Sequence, residues 1–120
     1  MIRTLTMKNV RLLASIAAGS VLLSATALAQ EVDKKAERAW KAKCASCHGQ
    51  TGKGDTDKGK ELKVEDMTAA KYQGKKDADL KKAVLEGIKA DGKEVMPPFK
   101  DEVTPEQADA LVKYTRGFKK

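Results

Sequence analysis

The chain has two cysteines and one histidine, all within five positions: Cys44-Ala45-Ser46-Cys47-His48. C-x-x-C-H is the attachment signature of a c-type haem. Its two thiols lie one turn of chain apart, so each can add to a vinyl group. The adjoining imidazole can then turn onto the iron. Other chemistries draw on the same residue types. A structural zinc site needs four ligands, and three are offered here. A disulfide would use Cys44 and Cys47 and leave His48 idle. A dithiol pair of the thioredoxin kind follows a strand and opens a helix, whereas this segment ends one. Haem attachment employs all three side chains. It makes His48 the proximal ligand, with its second ring nitrogen donating to a carbonyl or carboxylate.

A second axial ligand must come from elsewhere. Met1 and Met7 fall in an N-terminal segment treated below, which leaves Met67 and Met96. A methionine is more often core filler than ligand. Met96, however, precedes Pro97 and Pro98, which stiffen the chain, and follows Asp91-Gly92, where the chain can turn. A rigid loop holds a weak thioether against iron at small entropic cost. Met67 falls in a helical pattern and is expected to be buried. Met96 is the expected ligand.

These residues need elements to hold them. Residues 31–43 read as a helix with Asp33 as N-cap and Val32, Ala36, Ala39, Trp40 and Lys43 at helical spacing. Residues 49–59 read as a glycine-rich loop. Gly49 and Gly54 have the separation of a phosphate-binding loop, but Asp55 stands where its lysine should be and no strand precedes it. Residues 60–73 read as one short helix with irregular flanks. Asp77 caps a helix to Glu86, with Leu80, Ala83, Val84 and Ile88 on its apolar face and Gly87 as its stop. Residues 89–101 read as loop. The last helix has a full start signal: Thr104 as N-cap, Pro105 at N1 and Gln107 completing a capping box. Ala108, Leu111, Val112, Thr115 and Phe118 trace one face of it. No segment shows sustained strand alternation, so the expected fold is all-α.

At 120 residues the chain makes one domain at most. Residues 1–29 are read as a signal peptide: Arg3, Lys8 and Arg11, then an apolar stretch from Leu12 to Leu28, then Ala27-Leu28-Ala29 as the cleavage pattern. An uncleaved anchor is the alternative, but the stretch is short and broken by Ser15, Gly19, Ser20, Ser24 and Thr26. The functional domain is expected over 30–120, exported to the periplasm. Three of the 24 basic residues and none of the 17 acidic ones leave with the signal, so the net charge falls from +7 to +4. Scattered lysines and five aromatics do not make a nucleic-acid surface. So few large apolar side chains give a thin core, which a haem would complete.

With these motifs in order, the sequence resembles the class I cytochromes c, in particular the small bacterial periplasmic members. The resemblance covers about Val32 to Phe118: helix, Cys44-x-x-Cys47-His48-Gly49, loop, helix, Met96-Pro97-x-Phe99, helix. It implies a cytochrome c fold of three to five helices around one covalent haem c. Cys44, Cys47, His48 and Met96 would bind the cofactor, and His48 and Met96 the iron. It also implies that Trp40 packs across the last helix against Leu111 and Tyr114, with Ala36 at the crossing. Two features depart from the family. No proline lies between His48 and Met96 to offer its carbonyl to the histidine, so a carbonyl near Gly59 to Leu62 must do so. No second tryptophan is present for a haem propionate, and Tyr72 or a lysine is the substitute. The implied function is single-electron transfer by a non-enzymatic, monomeric carrier with no stable membrane insertion once the signal is removed. Its partners are redox proteins, with Lys41, Lys43, Lys53 and Lys100 placed to meet an acidic docking surface. The alternatives are a haem protein with an open sixth site, for gas binding or peroxidase chemistry, and a fixed subunit of a respiratory or oxidative complex.

Overall fold

The computed structural model describes residues 27, 28 and 30–119. The chain divides into two compact units, Met1–Val32 and Asp33–Lys120. In the first, residues 27, 28 and 30–32 are helical and exposed. The expected signal segment lies almost wholly outside the described residues.

The second unit is helical apart from one hairpin. Helix α1 is α-helical over 33–39, widens to a π-helix over Trp40–Cys44 and closes with an α-turn over Ala45–His48. Then come α2 (Asp57–Glu61), α3 (Ala70–Gln73), α4 (Asp77–Glu86), strands β1 (Ile88–Ala90) and β2 (Lys93–Met96), and α5 (Pro105–Arg116).

The π-turn has a visible consequence. The buried positions of α1 step through Ala36, Trp40, Ala45 and Gly49. The one five-residue step falls where Ala45 N–H donates to Trp40 O. Widening the helix there keeps Trp40 and the haem-box segment on one buried face.

Several expected elements shift. Asp33 and the residues before it are helical, so Asp33 does not cap. Asp77 is the first residue of α4, not its cap, and Lys76 holds that position. The expected helix over 60–73 is instead two short ones. The glycine loop carries the start of α2, whose N-cap is Thr56. Met67 lies in the turn between α2 and α3 rather than in a helix. The loop expected over 89–101 contains most of a hairpin, which begins at Ile88, a residue expected on the apolar face of α4 and found instead exposed in β1. The turn residues Asp91 (φ 51°) and Gly92 (φ 75°) are both left-handed, the geometry that Asp-Gly favours between antiparallel strands. A bulge follows, with Ile88 opposite Met96 and Lys89 opposite Glu94. Val95 is the extra residue, and Val95 and Met96 are consecutively half-buried. α5 forms as expected, including the reciprocal Thr104–Gln107 capping box.

The core joins Trp40, Met67, Tyr72, Leu80, Val103, Ala108, Leu111 and Val112. Trp40 is 2% exposed, and its ring centroid lies 5.1 Å from that of Phe118 and 5.8 Å from that of Tyr114. The expected crossing of the first and last helices is therefore present. Among the described residues no helix is long and apolar enough to cross a membrane.

Candidate functional site

The Cys44–His48 segment is the last turn and a half of α1, and most carbonyls at that end have a donor. Gly49 N–H reaches Ala45 O at 2.8 Å and Gly54 N–H reaches His48 O at 2.8 Å. The Thr56 hydroxyl donates to Ser46 O at 2.8 Å and lies 3.1 Å from Cys47 O. The Trp40 indole N–H reaches Gly49 O at 3.1 Å. Helix ends leave such carbonyls unpaired, and here the glycine loop and Thr56 fold back to satisfy them. Thr56 works in two directions, since it also accepts from Gly59 N–H as the cap of α2. Gly59 is buried against this corner, where a Cβ would collide with Cys47 O and Gly54 O. The segment is thus anchored through its backbone, which leaves its side chains free for chemistry.

Two of those side chains, Cys44 and His48, face a small apolar hollow of about 30 Å³. Cys44, His48 and Met96 line it, together with Trp40, Met67, Tyr72, Leu80, Val84, Leu111, Val112 and Thr115. Cys47 is half-buried and is not part of this wall. The thiols are not bridged. Burial pushes the Cys44 thiol up to about 11, so it is no ready thiolate of the kind a dithiol exchange pair needs. Burial also holds His48 below the usual histidine value, which favours the neutral imidazole that a metal requires. The His48 ring lies 5.7 Å from that of Trp40.

Two expectations are corrected here, the carbonyl partner of His48 and the role of Tyr72. His48 Nδ1 is buried with no hydrogen-bond partner, so the carbonyl expected near Gly59 to Leu62 is not in place. Gly59 O instead accepts from Val64 N–H, and Lys58 O from Leu62 N–H. Tyr72 lines the hollow, but its hydroxyl donates to Thr115 Oγ1 at 3.0 Å and is not free to serve a propionate. Two of the four flanking lysines are engaged internally, Lys41 with Glu37 and Lys43 with Glu102. Lys53 and Lys100 are exposed and carry no ion pair among the described residues.

Sequence reasoning did not single out Thr56 or Gly59, and it marks Gly87 only as a helix stop. Thr56 had a readable signal, a hydroxyl residue one position before a helix. Gly59 had none, and neither did the packing of Gly87 on the methionine loop, because close approach to backbone distant in sequence leaves no local pattern.

The donor set fits a c-type haem. It offers thiols at attachment spacing, a buried neutral imidazole with an orphan nitrogen, and thioethers, all on or beside an apolar wall. The comparisons agree. The sequence model of the family described as cytochrome C oxidase, cbb3-type, subunit III matches residues 31–114. Among solved structures, the KustC0563 c-type cytochrome is 35% identical with a TM-score of 0.63, covering 70% of this chain and 96% of that one. A tyrosine-to-phenylalanine mutant of Kustc0563 is 33% identical with a TM-score of 0.60, covering 70% and 98%. No curated protein sequence matches significantly. The chain belongs to the cytochrome c family that this family model describes, and is a c-type cytochrome of the electron-transfer kind.

Proposed function

We propose that the chain is an exported, soluble, monomeric carrier of single electrons. In this reading Cys44 and Cys47 hold one haem through thioether bonds, and His48 and Met96 are its axial ligands. The observation that carries it is that Cys44, His48 and Met96, far apart in sequence, line one apolar hollow. The bound group supplies an iron that alternates between ferrous and ferric states. His48 contributes a neutral imidazole from a helix end fixed by its own backbone. Met96 contributes a soft thioether that favours the reduced state. Leu80, Val84, Leu111 and Val112 keep water from the site. The reading requires no substrate site and assigns no catalytic residue. Lys53 and Lys100, on the glycine and methionine loops, steer an acidic redox partner. Export to the periplasm rests on the N-terminal pattern of residues 1–29.

A second reading, a fixed subunit of an oxidase, is favoured by the description of the matching family. Against it, the match to KustC0563 spans nearly the whole of that small cytochrome. Four experiments test the proposal. The redox-difference spectrum of the purified protein should be that of one low-spin haem c. The oxidised protein should show the weak near-infrared sulfur-to-iron charge-transfer band, lost in Met96→Ala and kept in Met67→Ala. Loss in Met67→Ala alone would overturn the ligand assignment. Ready binding of carbon monoxide by the reduced wild type would favour the open sixth site. The mature N-terminus from a periplasmic fraction should lie near Gln30, and co-purification with a membrane complex would favour the subunit reading.

A further inference from the structure

We infer that the C-terminal end of α4 is the seat that positions Met96, with Gly87 at its centre. The inference rests on the reading of Met96 as axial ligand. Gly87 ends α4 with φ 74° and ψ −176°, a backbone conformation essentially confined to glycine. Space makes a second, independent demand. A Cβ on Gly87 would lie 2.5 Å from Met96 O, 2.8 Å from Pro98 N and 2.9 Å from the Pro97 carbonyl carbon. All three are backbone atoms, and two belong to prolines whose chain cannot easily give way. The Met96-Pro97-Pro98 backbone therefore lies directly on Gly87.

Beyond Gly87 the segment has few fastenings. Pro97 and Pro98 have no N–H to donate. Phe99 N–H reaches Val84 O at 3.1 Å and Lys100 N–H reaches Leu85 O at 3.2 Å. These are carbonyls that the end of α4 leaves unpaired. On the other side, Met96 pairs with Ile88 across the bulge. The depth at which Met96 enters the hollow is thus set by how closely its backbone rests on α4. A methyl group at residue 87 lifts the segment and withdraws the thioether. Gly87 is a positioning residue.

The test uses the haem-loaded full chain and two spectroscopic readouts, the near-infrared sulfur-to-iron band and the affinity for added imidazole. Gly87→Ala should weaken or abolish the band and raise imidazole affinity by about tenfold or more, as the site open to imidazole becomes more populated. Gly92→Ala is the control. Gly92 has a similar φ of 75° at the turn of the adjoining hairpin, but nothing lies within 4 Å of its Cβ position. That variant should lose some stability and keep both readouts. If Gly87→Ala does not fold, Lys100→Pro decides, since it removes the Leu85 hydrogen bond without adding an atom at Gly87. It should raise imidazole affinity to a smaller extent. Wild-type readouts in a folded Gly87→Ala, or in Lys100→Pro where Gly87→Ala is lost, would overturn the inference. Equal effects of Gly87→Ala and Gly92→Ala would also overturn it, by reducing the role of Gly87 to backbone strain. A wild type without the band, unaltered by Met96→Ala, would overturn the ligation reading and the inference with it.

Discussion

The two sides of the hollow are built differently. On the His48 side, a helix end is closed by Gly49, Gly54, Thr56 and Trp40, so that four of the five carbonyls from Ala45 to Gly49 have donors and the Thr56 hydroxyl lies beside the fifth, Cys47 O. On the Met96 side, a seven-residue, two-stranded ladder leads into two prolines, and two hydrogen bonds tie the following chain to α4. The strands are largely exposed: Ile88 is 45% accessible, and Lys89, Ala90, Lys93 and Glu94 lie on the surface. The contrast follows the chemistry proposed for each side. An imidazole is a strong iron ligand, and attachment through neighbouring cysteines needs a fixed helix end. A thioether is weak, and its place depends on how the chain is held against a neighbouring element. Firm backbone closure serves the first, and a close-fitting seat the second.

The largest expected effect breaks the His48 side. Cys44→Ser with Cys47→Ser should abolish covalent haem staining after denaturing electrophoresis. It should also leave the chain largely disordered by circular dichroism, because the remaining core is thin. Native-like helix content in the double variant would show that the polypeptide core suffices alone.

Next in size is Trp40→Ala. It removes a side chain that is 2% exposed and packs against three rings, and it takes away one of the two donors to the Gly49 carbonyl. Urea unfolding of the haem-loaded protein should show a loss of about 3–5 kcal/mol. Phe99→Ala, on the methionine side and only half-buried, should cost less. A double-mutant cycle of Trp40→Ala with Phe118→Ala should give a coupling of about 0.5–1.5 kcal/mol. An equal loss from Trp40→Ala and Phe99→Ala would erase the contrast between the two sides.

What could be read from the sequence follows the same division. The haem box, the Trp40 crossing and the capped last helix carry local signals: a fixed spacing, one large aromatic, and Thr104-Pro105 with Gln107 three residues on. These elements stand where the residues place them. The hairpin was missed because its strands of three and four residues are too short for alternation to register, and a bulge breaks what alternation there is. Asp91-Gly92 is the one available sign, and alone it marks a place where the chain can turn without marking the strands on either side. The split of 60–73 into two short helices and a turn depends on tertiary bonds such as Met67 N–H to Gly52 O, 2.8 Å, which no local pattern announces. The missing partner of His48 Nδ1 is likewise a fact about distant backbone.

The seam between the two sides gives a smaller effect. Arg116 on α5 reaches across to the α3–α4 connection. It donates to Gln73 O at 2.9 Å and Lys75 O at 2.6 Å, and pairs with Asp77 at 2.6 Å. The ion pair is largely exposed on the Asp77 side and contributes little. The carbonyls matter more, because they belong to the end of α3 and the chain beyond it. Arg116→Ala should therefore cost about 1–3 kcal/mol in urea unfolding, and Asp77→Ala less than that. If Asp77→Ala costs as much, the ion pair and not the carbonyl capping holds the seam.

The smallest expected effect also lies on that seam and depends on pH. Tyr72 is buried in the wall of the hollow, and its hydroxyl donates to Thr115 Oγ1, which itself donates to Val112 O at 2.7 Å. Tyr72→Phe leaves the Thr115 proton satisfied, so near neutral pH it should cost only about 1 kcal/mol. Burial, outweighing the hydrogen bond and the nearby Arg116 and Lys75, raises the Tyr72 pKa above its usual value. The folded chain therefore keeps this proton at a pH where the unfolded chain has begun to release it. Its contribution to stability is fully present below the ordinary tyrosine pKa of about 10 and is lost as pH climbs from there through the folded value. Urea midpoints should accordingly fall more steeply above that pH in wild type than in Tyr72→Phe, and the gap between the two proteins should narrow. A gap that stays constant into the alkaline range would mean that Tyr72 ionises as freely in the fold as in the open chain. The hollow would then be wet at that wall, and the apolar lining proposed to exclude water would fail on the α3 side first.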